Sequence, residues 1–223
     1  RAILLTPPHT PTGKVFDEDE LALIAQLCQE HDLIAITDEV YEHLVYDDAT
    51  HFPLATLPGM RDRTVVISSA GKMFSYTGWK IGWVCASPEL VAAVRTAKQF
   101  LTYATGTPFQ YAVATGLELP DAYYREFAVD LAARRDLLMD GLRAAGLEVF
   151  RPLGTYFVTV DIRPLGSSDG LAFCRSLPER CGVVAIPNVV FYDDQAAGAS
   201  LVRFTFCKRR EVLEEAVTRL LAL

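Results

Sequence analysis

Three features are scarce or missing in this chain, and each one argues against a class of protein. The five cysteines are dispersed and form no CxxC pair, so the sequence predicts neither a disulfide framework nor a metal site. Basic residues number 21 against 28 acidic ones, and the net charge of −7 argues against nucleic acid as a partner. No apolar run is long enough for a membrane span, and no secretory signal is recognisable. We therefore expect a protein of the reducing cytoplasm that contacts no membrane.

The apolar fraction is high. Hydrophobic residues make up 51% of the 223 residues, which excludes general disorder and is enough for one large domain or a domain and a half.

Three short apolar runs near the start each end in polar residues. They are Ala2–Leu5, Leu33–Thr37 and Thr64–Ile67. An amphipathic helix is predicted between the first two, over Asp17–Glu30, so the order is strand, helix, strand. Near-continuous apolar strands in this order favour a parallel α/β sheet, whose ligands bind outside the carboxyl ends of the strands.

The polar residues that follow these strands form a candidate site. Thr10, Asp38, Tyr41, Ser69 and Lys72 would all reach one edge of the sheet. Lys72 lies among small and apolar neighbours, and desolvation favours the neutral amine that can attack a carbonyl. A lysine on a solvated loop is the simpler interpretation of Lys72 taken alone.

The ordered motifs of the chain resemble the class I/II aminotransferases, which are pyridoxal-phosphate enzymes of fold type I. The matching segments are Thr10–Gly13, Asp38–Tyr41, Ser69–Lys72 and Gly78–Trp83, with Arg203 near the end. The likeness runs along essentially the whole chain and is greatest to the bacterial methionine, kynurenine and N-succinyldiaminopimelate aminotransferases. It implies a mostly parallel large-domain sheet followed by a smaller α+β domain.

The resemblance also implies a role for each site residue. Lys72 matches the catalytic Schiff-base lysine, Asp38 the partner of the pyridinium nitrogen, and Tyr41 a ligand of the phenolic oxygen. Thr10 stands where the family usually has asparagine, so its shorter side chain would make a weaker or water-mediated contact. Ser69 and Lys80 match phosphate ligands, and Arg203 matches the residue that binds the substrate carboxylate.

Several residues also have a purely structural interpretation. Lys80 is compatible with a surface lysine, and Arg203 with an internal ion pair, for instance to Asp161. His43 and His51 are predicted to be polar surface groups. The arginines of a long helix predicted over Ala122–Ala145 are most simply explained as its solvated face.

The predicted division places the C-terminal portion of a cofactor-binding large domain at residues 1–119 and a small domain at 120–223. By resemblance, an N-terminal half that supplies further cofactor contacts precedes the strand at Ala2–Leu5, and the segment Tyr103–Gln110 lies at a homodimer interface. An ordinary helix connection explains that segment equally well.

Three functions of different kinds remain open from the sequence. The first is transfer of an amino group between an amino acid and a 2-oxo acid. The second is a pyridoxal-phosphate-dependent C–S β-lyase, because the same lysine and aspartate also serve elimination. The third is an inactive C-terminal fragment of an aminotransferase, and we expect the 223 residues alone to bind the cofactor poorly.

Overall fold

The computed structural model describes all 223 residues, which fold into two compact units. The first unit contains residues 1–8 and 15–126, and the second contains residues 9–14 and 127–223. The compact units divide between Glu126 and Phe127. The domain boundary at residues 119 and 120 that the sequence suggested remains a proposal. No helix in either unit is both long and apolar enough to cross a membrane.

The first unit is built on a four-stranded sheet with the strands in sequence order. Its strands are β1 (Ala2–Leu5), β2 (Ile34–Asp38), β3 (Thr64–Ser69) and β4 (Gly82–Cys85). Its complete helices are α1 (Glu18–Glu30), α2 (Ala70–Met73), α3 (Pro88–Leu101) and α4 (Thr107–Leu117). The helix α5 (Asp121–Ala144) begins in this unit and continues into the second.

The first three strands are parallel, as the sequence predicted. Leu4 pairs with Ile36, and Ile36 pairs in turn with Val65. The connection from β1 to β2 runs through α1, which begins at Asp17 with a capping box to Glu20. The carboxyl ends of β1, β2 and β3 therefore lie at one edge of this sheet, while β4 returns antiparallel to β3.

The helices α3 and α4 leave much of their apolar surface open. No residue of α3 is buried, and Val113 is the one buried residue of α4. Large side chains are exposed here, including Phe100 at 85%, Leu101 at 81% and Tyr111 at 75%. A cluster of exposed apolar side chains of this kind is typical of an interaction surface.

The second unit contains a four-stranded antiparallel sheet in the order β5-β6-β8-β7. Its strands are β5 (Glu148–Phe150), β6 (Phe157–Asp161), β7 (Ile186–Pro187) and β8 (Leu201–Thr205). Besides most of α5 it has the helices α6 (Gly170–Cys181), α7 (Gln195–Gly198) and α8 (Arg210–Leu220). The sequence pattern of residues 183–186 favours a strand, but the pairing with β8 is formed by Ile186 and Pro187.

The arginines of α5 do not all face solvent, so that expectation was wrong for one of them. Arg135 is completely buried. Its guanidinium donates to the Pro152 carbonyl at 3.0 Å and contacts the Asp136 carboxylate at 2.9 Å. These bonds connect the helix to the segment that leads into β6. Arg143, by contrast, pairs with Asp140 near the helix surface.

The suggested ion pair between Arg203 and Asp161 is also wrong. The Asp161 carboxylate is buried and accepts from the Arg163 guanidinium at 2.6 Å and from the Arg163 backbone at 2.9 Å. Burial by itself raises the pKa of Asp161, but the hydrogen bonds from Arg163 outweigh burial and lower that pKa below its usual value. The acid at the end of β6 is therefore satisfied by its own turn.

We predict that Arg135→Met lowers the free energy of unfolding by about 3 kcal/mol, because it removes charge-assisted bonds from a buried position. Arg143→Met on the same helix removes an exposed pair and should cost no more than about 0.5 kcal/mol. Denaturant titration of both variants tests this. Equal losses would mean that the Arg135 bonds contribute nothing beyond a surface pair.

A second prediction concerns pH. Because the pKa of Asp161 is lower in the folded state, its contribution to stability is present at neutral pH and is lost as pH falls through the folded pKa. Asp161→Asn should therefore unfold more easily at pH 7, and the difference from the unsubstituted protein should shrink in acid. Thermal unfolding from pH 7 to pH 3 measures this, and a constant difference would contradict it.

Candidate active site

The carboxyl edge of the first unit's sheet brings together residues from neighbouring strands. Asp38 ends β2 and pairs in register with Ile67, two residues before Ser69 at the end of β3. Ser69 pairs across the sheet with Gly82 of β4. Asp38, Ser69 and Gly82 line one groove of this unit. The predicted meeting of Asp38 and Ser69 at one edge is therefore present in the structure.

The Asp38 carboxylate lies at the carboxyl end of β2. One of its oxygens accepts a hydrogen bond from the Val40 amide at 3.3 Å. The residue is half-buried, and Arg95 and Lys98 line the same groove without an ion pair to it. A carboxylate in this setting favours a cationic ligand group, because an uncompensated charge is costly to bury.

Tyr41 and Lys72 lie close to each other at the same edge. Tyr41 follows β2 and is 6% exposed, whereas Lys72 is half-buried in α2 after β3. The Lys72 Nζ is 6.0 Å from the centre of the Tyr41 ring. A primary amine and a phenol are thus held within one small region beside the strand that ends at Asp38.

The turn that carries Lys72 is fixed by close packing. A side chain at Gly71 would place its Cβ 3.0 Å from the Thr77 Cα, so glycine permits the approach of the following segment. The Phe74 ring stacks on Tyr76 at 5.7 Å, and the Tyr123 hydroxyl donates to the Met73 carbonyl at 3.3 Å. These contacts hold the lysine turn from several sides.

Lys80 follows this turn in a left-handed backbone conformation. Its φ is +57° and its ψ is +40°, and the residue is exposed to solvent. The Lys80 carbonyl accepts from the Thr105 hydroxyl at 3.3 Å, and the next residue, Ile81, accepts from the Ala70 amide at 3.1 Å. Because Ala70 follows Ser69, the chain at Lys80 runs beside Ser69.

Sequence reasoning missed two residues of this region. Glu39 is completely buried, and its carboxylate accepts from the Thr37 hydroxyl and from His51 Nε2, each at 2.7 Å. The His51 side chain is 7% exposed, so the prediction of a surface histidine was wrong. The spacing of 12 residues between the two carried no recognisable signal.

His43 is also not a simple surface group. Its ring stacks on Tyr124 with centroids 4.3 Å apart. Partial burial lowers the pKa of His43, and the nearby His51 lowers it further, while the acids Glu42 and Asp121 oppose this. His43 therefore packs as an aromatic group at the start of α5.

Arg203 lies in the second unit between two aromatic rings. It is 9% exposed on β8, and its guanidinium carbon is 3.9 Å from the centre of the Phe157 ring and 4.5 Å from that of Phe191. These distances are those of cation–π contacts, which hold the planar guanidinium beside the two rings.

Thr10 also belongs to the second unit, where its hydroxyl oxygen is buried without a hydrogen-bond partner. The next residue, Pro11, accepts through its carbonyl from the Thr159 hydroxyl at 3.4 Å, and Asn188 donates to the same hydroxyl at 3.1 Å. Thr159 pairs in register with Arg203. The residue after Thr10 is therefore hydrogen-bonded to Thr159, the register partner of Arg203, within this unit.

Comparison with known proteins agrees with these motifs. The sequence profile of the family Aminotransferase class I and II matches residues 1–220. A probable N-succinyldiaminopimelate aminotransferase of Mycobacterium tuberculosis is 52% identical over 231 residues, covering 100% of this chain and 58% of that protein. Kynurenine–oxoglutarate transaminase 3 of mouse is 38% identical, covering 97% of this chain and 51% of that protein.

A solved structure gives the same result. The structure of the Mycobacterium tuberculosis N-succinyldiaminopimelate aminotransferase superimposes with a TM-score of 0.96, covering 99% of this chain and 58% of that one. The chain thus spans a little over half the length of the relatives it matches. Since the family profile covers almost all of these residues, the chain belongs to the class I and II aminotransferase family.

Proposed function

We propose that this protein is a pyridoxal-phosphate-dependent aminotransferase that moves an amino group between an amino acid and a 2-oxo acid. The observation that carries the proposal is the half-buried Asp38 carboxylate, which is in no ion pair, at the same sheet edge as the Lys72 amine. Members of the family depend on pyridoxal phosphate. Relatives named for N-succinyldiaminopimelate and kynurenine support a substrate of the dicarboxylic or aromatic amino acid class.

The residues of the chain fit this cofactor. Asp38 provides the carboxylate that a protonated ring nitrogen requires, and the buried Thr10 hydroxyl lacks the partner that a cofactor oxygen would supply. Bound pyridoxal phosphate would supply a carbonyl for the amino group and a ring that withdraws electrons. We assign the phosphate to Ser69 and Lys80, which combine a hydroxyl with a compact positive charge.

The remaining residues then have defined tasks. Tyr41 would donate a hydrogen bond to the phenolic oxygen of the bound cofactor, and Asp38 would pair with its protonated ring nitrogen. With the cofactor bound, the Lys72 amine would accept the proton of the substrate α-carbon and later give it up, which is general acid–base catalysis. Arg203 holds the substrate carboxylate by two parallel hydrogen bonds.

We also propose that the protein works as a homodimer in the cytoplasm. The exposed apolar surface at Phe100, Leu101 and Tyr111 supports a second copy as its covering partner. The five free cysteines support a reducing compartment.

The experiment that tests the proposal is Lys72→Ala. We predict that transamination falls by about 10²- to 10⁴-fold, because the acid–base group is lost. The visible absorbance of added pyridoxal phosphate should change at the same time. Lys208→Ala, which removes an exposed lysine side chain of the second unit, is the matched control and should retain activity. Wild-type transamination by Lys72→Ala would refute the assignment, and release of pyruvate and ammonia without an acceptor would favour a β-lyase.

The dimer is tested at the α3 surface. We predict that the double substitution Phe100→Asp and Leu101→Asp converts a dimer into a monomer, because it places charges in an apolar contact. Sedimentation analysis gives the masses, with Leu23→Asp on α1, which replaces a residue 57% exposed, as control. A monomeric mass for the fully active unsubstituted protein would contradict the proposal.

A further inference from the structure

The buried pair Glu39–His51 has no task in the proposed chemistry. Glu39 is completely buried and accepts two hydrogen bonds at 2.7 Å, from the Thr37 hydroxyl and from His51 Nε2. A carboxylate in such a position is costly unless every bond to it is made. Its presence next to Asp38 therefore calls for an explanation.

The strand geometry directs Glu39 away from the ligand groove. The Glu39 amide donates to the Ile67 carbonyl at 2.8 Å, so the parallel pairing continues one residue beyond β2. Side chains alternate along an extended strand, which places Thr37 and Glu39 on one face and Asp38 on the other. The bond from Thr37 to Glu39 agrees with this alternation. Glu39 is thus an anchor behind the residue that lines the groove.

The pair also closes the loop that carries Tyr41. His51 returns to Glu39 after 12 residues, and Tyr41 lies within this loop. A second bond, from the Ser68 hydroxyl to the Glu42 carboxylate at 2.7 Å, attaches the loop to β3. Tyr41 is therefore held on both sides, at Glu39 and at Glu42, while its ring faces the Lys72 amine at 6.0 Å.

We propose that Glu39 and His51 form a positioning pair, which orients Asp38 and Tyr41 for the cofactor by a hydrogen bond that closes the loop between them. The inference rests on the proposed function, since Asp38 and Tyr41 are cofactor residues only under it. The pair touches neither cofactor nor substrate. What it contributes is the donor at His51 and the acceptor at Glu39, and the volume of the imidazole ring is secondary.

This distinction between donor and volume defines the experiment. His51→Phe keeps a ring and removes the donor, whereas His51→Gln keeps an N–H donor and changes the shape. Thr64→Val is the matched control, because it removes a buried hydrogen bond of 2.8 Å to the Met60 carbonyl at the opposite end of β3. Pyridoxal phosphate is titrated into each variant of the protein as expressed from its own gene, and its affinity and absorbance maximum are recorded beside the melting temperature.

We expect His51→Phe to weaken cofactor affinity by about tenfold, because the loop that carries Tyr41 would have to be ordered when the cofactor binds. The absorbance maximum of the bound cofactor should also shift. The His51→Gln protein should keep both the affinity and the absorbance maximum of the unsubstituted protein. Thr64→Val should lower the melting temperature and leave both values unchanged. A His51→Phe protein with normal affinity and absorbance, or a His51→Gln protein as impaired as His51→Phe, would overturn the inference.

Two further measurements keep the result decisive. If His51→Phe does not fold, the double substitution Glu39→Gln with His51→Phe removes the buried charge and must still bind the cofactor weakly; normal binding overturns the inference. If the unsubstituted protein shows no saturable binding, or binds no better than Lys72→Ala, the proposed function fails. Normal binding by the unsubstituted protein together with an unaffected His51→Phe overturns only the positioning pair.

Discussion

The hydrogen bond from the Glu39 amide to the Ile67 carbonyl extends the parallel pairing of β2 and β3 past the last residue of β2. Because side chains alternate on an extended strand, this one bond assigns Asp38 and Glu39 to opposite faces. A carboxylate can then be offered to a ligand on one side while a neighbouring carboxylate is satisfied inside the protein on the other. The arrangement of the lysine turn, which follows the next strand, depends on the same register.

In the second unit, the buried charged side chains have partners of several kinds. Asp161 and Arg135 are satisfied by nearby groups of the chain, through Arg163 and through the Pro152 carbonyl. Arg203 also contacts the rings of Phe157 and Phe191, which hold its guanidinium beside β8. The unit thus separates arginines that stabilise the fold from the one proposed to bind a substrate anion.

The sequence was sufficient for the strands, for most helices and for the edge at which Asp38 and Ser69 meet, since apolar runs and their polar ends specify a parallel sheet. It was insufficient for His51, Arg135 and Asp161, whose partners depend on how a loop closes or on which side of a helix is covered. A separation of 12 residues between a histidine and a glutamate matches no helix or strand period, so the sequence does not indicate their contact. For an arginine on a predicted helix, the sequence pattern is the same whether the side chain is buried or solvated.

The left-handed backbone at Lys80 has a consequence for engineering this protein. A residue with a side chain at φ +57° costs about 1 kcal/mol relative to glycine, so selection for heat resistance alone would favour glycine at this position. The same replacement would delete the amine assigned to the phosphate. Under that assignment, glycine at this position would raise thermal stability and weaken cofactor binding. A stability screen run without the cofactor would then enrich variants that bind the cofactor poorly.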